Sequence, residues 1–114
     1  VAGERLRDQR MKAMLSYIWE HYTQPITIQD IAASANISKS ECFRCFAELS
    51  QTTPIEYINQ FRLLQAAQAL TSTNKSISDI CYMTGFNNTS YFTKKFREQY
   101  GMTPKAYRAQ NQTK

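Results

Sequence analysis

Residues 28–58, IQDIAASANISKSECFRCFAELSQTTPIEYI, return in altered form as residues 77–108, ISDICYMTGFNNTSYFTKKFREQYGMTPKAYR. Ile28, Asp30, Ile31 and Ile37 match Ile77, Asp79, Ile80 and Phe86 at an offset of 49. Ser40, Cys42, Arg44, Phe46, Thr53, Pro54 and Tyr57 match Ser90, Phe92, Lys94, Phe96, Thr103, Pro104 and Tyr107 at an offset of 50. The change of one residue falls between the two helices of each copy, where a turn absorbs it. Two copies are too few for a stacked array. Each copy instead reads as a short helix, a tight turn and a second helix, the organisation of a helix-turn-helix. Gly85 ends the first helix of the second copy, because the missing Cβ permits a left-handed turn. Asn36 stands at the corresponding place in the first copy and tolerates the same backbone region.

Working outward, four helix starts share one signature, a hydroxyl residue followed three positions later by an acid: Thr27 and Asp30, Ser38 and Glu41, Thr53 and Glu56, Ser76 and Asp79. The hydroxyl caps orphan backbone N–H groups, and the carboxylate sits in the positive first turn. Pro54 and Pro104 follow Thr53 and Thr103 at the first helical position, where the lost N–H costs nothing. Met11, Met14, Leu15, Ile18, Trp19 and Tyr22 recur at three- and four-residue spacing, marking an amphipathic helix that stops before Pro25, with Trp19 expected to anchor it to the core. The expected helices span 7–22, 27–34, 38–49, 54–71, 77–83, 88–100 and 104–109. The helix at 54–71 is apolar around more than half its circumference and must be buried against more than one partner. The fold is therefore expected to be all-α: two helix-turn-helix subdomains, 11–53 and 72–109, joined by a long connecting helix, 54–71. Residues 1–10 read as a linker or frayed helix start, and 110–114 as a tail.

Composition narrows the function. Residues 1–57 hold six basic and seven acidic side chains, whereas residues 58–114 hold eight basic and two acidic, a net of +6. A basic half suits a polyanion such as nucleic acid, although a solvated basic face gives the same count. No run approaches the roughly 20 apolar residues that span a bilayer, so no membrane is expected as a partner. Cys42, Cys45 and Cys81 form no disulfide framework and imply reduced thiols in a cytoplasm. Cys42-x-x-Cys45 falls on a core face without two further ligands, which argues against zinc. His21 is a lone histidine at a helix end. No phosphate-cradling loop, metal pair or nucleophile elbow is present, so neither cofactor nor enzymatic activity is expected.

The stretch GFNNTSYFTKKFREQYGMTPKAYR (85–108) resembles the second half of an AraC/XylS-type DNA-binding domain. The stretch from IQDIAASANIS (28–38) to IEYINQFRLLQAAQAL (55–70) is similar to its first half and connecting helix. The resemblance covers residues 11–108. It implies bacterial transcription regulation, activators among the family, with double-stranded DNA as partner and RNA polymerase as a second candidate. It also implies an N-terminal sensor domain, expected to lie outside this chain, which begins at Val1 without a Met.

The second helix of each copy should then enter a major groove. In the first, Cys42, Cys45, Phe46 and Leu49 are expected in the core, leaving Lys39, Ser40, Phe43, Arg44 and Ala47 outside. Arg44 matches the position at which the family carries a base-reading arginine, and suits a bidentate contact to guanine. Phe43 replaces a residue that is usually polar in the family, and either packs on a thymine methyl or belongs partly to the core. Glu41 reads as a cap partner. In the second, Tyr91 or Phe92, with Phe96 and Tyr100, face the core, and Asn88, Thr89, Ser90, Thr93 and Lys94 face outward. Lys94 meets a base edge or a phosphate, and Lys95 and Arg97 meet phosphates or solvent. Two rival readings are a helix-turn-helix protein-interaction module that binds no DNA, favoured by the acidic first half, and the docking part of a nucleic-acid enzyme such as a recombinase. The second lacks the carboxylates or nucleophile it needs.

Overall fold

The computed structural model describes residues 2–112, and among them every regular element is helical. The order is α1 (Ala2–His21), α2 (Ile28–Ser34), α3 (Lys39–Leu49), α4 (Pro54–Ser72), α5 (Ile77–Met83), α6 (Thr89–Tyr100) and α7 (Pro104–Asn111). The expected all-α fold with seven helices is what forms. The chain divides into two compact units, Val1–Ile58 and Asn59–Lys114, with the division inside α4.

The caps act as their chemistry dictates. Thr27 and Asp30 form a reciprocal box, each side chain accepting from the other's backbone N–H, at 3.1 and 3.0 Å. Thr53 and Glu56 repeat it at 3.1 and 3.0 Å. Ser38 and Ser76 accept from the N–H of Glu41 and Asp79. Thr103 caps α7 through the N–H of Ala106, with Pro104 at the first position.

The two turns are built alike. In the first, Ile37 N–H donates to Ala32 and Asn36 N–H to Ala33, both at 3.1 Å; in the second, Phe86 N–H donates to Cys81 and Gly85 N–H to Tyr82, both at 3.1 Å. Asn36 and Gly85 hold the left-handed backbone at φ 56° and 100°. A second left-handed pair was not foreseen: Gln51, φ 57°, after α3, and Gly101, φ 76°, after α6.

The core of the first unit is Met11, Met14, Ile18, Ile31, Ala32, Cys42, Cys45, Phe46 and Ile58, with Tyr57 packed against it. The core of the second is Leu63, Ala66, Ala67, Ala69, Leu70, Ile80, Cys81, Phe86, Phe92 and Phe96, with Ile77, Tyr100 and Tyr107 alongside. The copies use their last segments in the same way. Pro104 is buried and Tyr107 meets Phe96 edge-on at 5.4 Å; Pro54 is buried and Tyr57 meets Phe46 at 5.8 Å. The first turn of α4 thus completes the first unit as α7 completes the second. The rest of α4 supplies five buried residues to the second core, which is why so much of its circumference is apolar.

Residues 2–10 take the helical of their two readings: Arg7 pairs with Glu48 at 2.8 Å and Arg10 approaches Glu41 at 3.8 Å, fastening the start of α1 to α3. Two expectations are corrected. Leu49 is 42% exposed, because it ends α3 where the chain turns away through Ser50 and the left-handed Gln51. Trp19 is 48% exposed and is held by a hydrogen bond from its indole N–H to the Tyr57 hydroxyl at 3.1 Å, not by burial. His21 is half-buried at the last position of α1, stacked on Tyr17 at 4.2 Å with Nδ1 donating to the Tyr17 carbonyl.

Candidate nucleic-acid interface

A reading helix needs one face locked into its scaffold and the other free to meet a groove. In α3, Cys42, Cys45 and Phe46 are at most 2% exposed and lock the inner face. Lys39, Ser40, Phe43 and Arg44 are all exposed. Phe43, at 44% exposure, takes the outward of its two readings. Arg44 leaves 64% of its side chain exposed, while its Nη1 donates to Glu41 Oε1 at 2.8 Å. The other Glu41 oxygen faces Arg10 Nη1 at 3.8 Å. The Glu41 carboxylate therefore turns toward two arginines, and only its backbone N–H takes part in the Ser38 cap.

In α6, Phe92 and Phe96 are fully buried. This settles the choice between Tyr91 and Phe92, since Tyr91 is 42% exposed. Thr89, Ser90, Thr93, Lys94 and Arg97 come together with Glu98 along an open hollow of about 610 Å³. The i, i+3 and i, i+4 spacings among these residues place them on one helix face. Lys95 is not part of that lining. Its ammonium sits 5.6 Å from the Tyr91 ring centroid and pairs with Glu98 at 3.3 Å. Asn88 is the N-cap: its Oδ1 accepts from Tyr91 N–H at 2.8 Å, so this side chain serves α6 before any ligand. Tyr91 is itself fixed from α4, where the Asn59 amide donates to its hydroxyl at 2.9 Å. Glu98, Asn59 and Arg10 are the neighbours of these side chains that sequence reasoning left out, and Glu41 was read as a cap partner where its carboxylate meets Arg44 and Arg10. Only the i, i+3 spacing of Glu41 to Arg44 and of Lys95 to Glu98 could have signalled any of them.

Chemically, α6 offers a hydroxyl-rich, cationic exposed face, and α3 a mixed one on which Lys39, Ser40 and Arg44 stand beside Glu41 and Glu48, both with donors suited to phosphate and base-edge hydrogen bonding. Among the described residues, no three His, Cys, Asp or Glu side chains are grouped to hold a metal, and no helix is long and apolar enough to cross a membrane. Burial raises all three thiols above the ordinary value of 9.0, Cys42 to about 11, so they stay protonated and unreactive at neutral pH.

Two short helices, each turned through a left-handed residue into a capped second helix, define a double helix-turn-helix protein. A helix-turn-helix domain family matches residues 31–110. An uncharacterized helix-turn-helix-type transcriptional regulator of Bacillus subtilis, YdeC, is 37% identical over 109 residues, 96% of this chain and 38% of the relative. A solved AraC-type DNA-binding regulator from Chromobacterium violaceum superposes with a TM-score of 0.86 at 29% identity, covering 97% of this chain and 96% of that one. The DNA-binding domain of the global transcriptional factor AdpA, solved in complex with a target DNA, superposes with a TM-score of 0.81 at 28% identity over 85% of this chain and 87% of that one. The chain belongs to the helix-turn-helix domain family of AraC type.

Proposed function

We propose that this chain is the DNA-reading part of a bacterial transcription regulator, binding double-stranded DNA sequence-specifically through α3 and α6. The observation that carries this reading is the pair of capped helices whose inner faces are buried and whose outer faces carry Lys39, Ser40 and Arg44, and Ser90, Thr93, Lys94 and Arg97. The AdpA domain bound to DNA and the regulators among its relatives support it.

Under this reading Arg44 donates to a guanine edge, with Phe43 against a thymine methyl. Lys94 meets a base edge or phosphate, and Lys39 and Arg97 meet phosphates. Asn88 and Thr89 present the first turn of α6 to a phosphate. Two non-identical heads in one chain imply an asymmetric site read in successive major grooves. The +6 of residues 58–114 makes the second head the main source of electrostatic attraction. Because the chain spans 38% of the YdeC regulator's length, a sensor domain and a contact with RNA polymerase belong to this proposal for the whole protein. So does cytoplasmic action, and no catalytic step is part of it.

A mobility-shift experiment against random genomic fragments, with excess unrelated competitor DNA, tests the reading. Retention of a small competitor-resistant subset is expected, and uniform displacement would leave the protein-interaction alternative standing. On a site so obtained, inserting about five base pairs between the half-sites turns one half to the opposite face of the duplex, since one turn takes 10–10.5 base pairs. Specific binding should then fall to what one head supplies.

A further inference from the structure

Arg44 does not approach the groove as a loose side chain. Its Nη1 is engaged by Glu41 Oε1 at 2.8 Å, one turn earlier on the same helix, and Glu41 Oε2 faces Arg10 of α1 at 3.8 Å. Glu41 leaves only 35% of its side chain exposed, while Arg44 leaves 64%. The carboxylate is thus the sheltered, anchored member of the pair and the guanidinium the reaching one. A guanidinium has five N–H donors in a planar fork. Engaging one of them leaves donors for the two acceptors, O6 and N7, that guanine presents in the major groove.

We infer that Glu41 is a positioning residue for base readout: it orients Arg44 for one base pair while its negative charge weakens attraction to DNA in general. The inference rests on the DNA-reading function proposed for α3. Holding a rotamer-rich arginine in place before binding removes part of the ordering cost that a sequence-specific contact otherwise meets. A carboxylate on the reading helix also opposes the phosphates, so contacts that use only charge lose while the oriented base contact keeps its advantage. Glu41 thereby exchanges total affinity for discrimination.

The test is selection of bound duplexes from a random-sequence library by the full chain and by Arg44→Ala, Glu41→Gln and Glu41→Asp variants, with the preference scored at each base-pair position. Arg44→Ala should abolish preference at one position, a loss of roughly tenfold or more. Glu41→Gln, isosteric and unable to hold a guanidinium by charge, should relax that same position by roughly two- to fivefold, the scale of a partly exposed ion pair. All other positions should be unchanged, and binding to unrelated duplex should be equal to or tighter than that of the parent. Glu41→Asp keeps the charge but is shorter by one methylene, and should relax the position as well. A structural defect would weaken every position together, and that outcome counts against the inference. So does an intact preference at the Arg44 position, or a changed preference at a different base pair, which would make Glu41 itself a base reader. If Arg44→Ala changes no position, the reading of α3 fails first and this inference falls with it.

Discussion

The indole N–H of Trp19 donates to the hydroxyl of Tyr57 at 3.1 Å, joining the end of α1 to the first turn of α4 across 38 residues of chain. Tyr57 also packs on the buried Phe46 at 5.8 Å, so the bond extends from a core aromatic to a half-exposed one. Trp19→Phe and Tyr57→Phe should each destabilise the first unit by about 0.5–1.5 kcal/mol. Because they remove the same bond, the double variant should cost clearly less than the sum. Urea titrations of the four proteins, followed by circular dichroism, measure this, and strict additivity would mean the bond contributes nothing.

Gln51 and Gly101 occupy equivalent left-handed positions, φ 57° and 76°, but only one of them is glycine. A Cβ in this region costs an L-residue about 1–2 kcal/mol, offset in part by glycine's larger entropy in the unfolded chain. Gln51→Gly should therefore raise stability by up to about 1 kcal/mol. Gly101→Ala should lower it by about 1 kcal/mol through the backbone alone, since a Cβ there meets nothing within 4 Å. A Gln51→Gly variant less stable than its parent would contradict this.

The end of α4 is closed by a side chain from α7. Arg108 Nε donates to the Leu70 carbonyl at 3.0 Å and its Nη2 to the Thr73 carbonyl at 3.4 Å. The Leu70 carbonyl lies in the last turn of α4, and the Thr73 carbonyl just beyond it also accepts from the Gln112 amide at 3.4 Å; hydrogen bonds from charged donors contribute about 1.5–3 kcal/mol. Arg108→Ala should cost that much. Arg108→Lys should recover only part, because an ammonium lacks the planar fork that spans two acceptors. Thermal or chemical denaturation of the two variants gives the comparison, and equal stability of Lys and Arg proteins would show that charge alone matters.

Among the basic residues of the second unit, Arg97 lies along the α6 hollow and Lys105 is exposed, whereas Lys95 is engaged with Tyr91 and Glu98. If Arg97 and Lys105 meet phosphates, removing either should reduce the slope of log affinity against log salt by about 0.9. Lys95→Ala should reduce it less. Binding measured on an unrelated duplex across a salt series tests the ranking, and a Lys95 effect as large as that of Arg97 would reverse it.

The buried Cys42 thiol stands at about 11, above its ordinary 9.0. Desolvation is the main cause, with the neighbouring Cys45 adding to it. Above pH 9 the unfolded chain gives up this proton while the fold retains it. The resulting stabilisation is complete below pH 9 and is lost as pH rises through about 11. Between those values the parent should lose about 1–2 kcal/mol more stability than Cys42→Ala, whose cavity cost does not vary with pH. Parallel pH slopes for the two proteins would refute the assignment.

The legibility of this chain follows the range of its interactions. Thr27, Ser38, Asn36 and Gly85 announced their roles because caps and left-handed turns are decided within four residues. Phe96 was legible from helical spacing, which left Tyr91 and Phe92 undecided. Leu49 obeyed the same spacing and was misplaced, because periodicity continues to the end of a helix even where the scaffold beside it does not. Trp19 was misread because tryptophan is usually anchored by burial, and here its polar edge does the fastening. Arg108 on Leu70 and Asn59 on Tyr91 join positions 38 and 32 residues apart, which no local pattern encodes. The choice between linker and helix start for residues 2–10 was open for the same reason, since Arg7 and Arg10 pair with Glu48 and Glu41 far along the chain.

The two buried clusters share no residue, and α4 passes from one to the other between Ile58 and Leu63. For recombination between relatives, this interval is a natural crossover point. A hybrid joined there inherits each buried cluster whole from a single ancestor. If each unit reads half of the site, as proposed, the two halves can change preference independently, and a new half can be gained by exchange before a single reading residue has mutated.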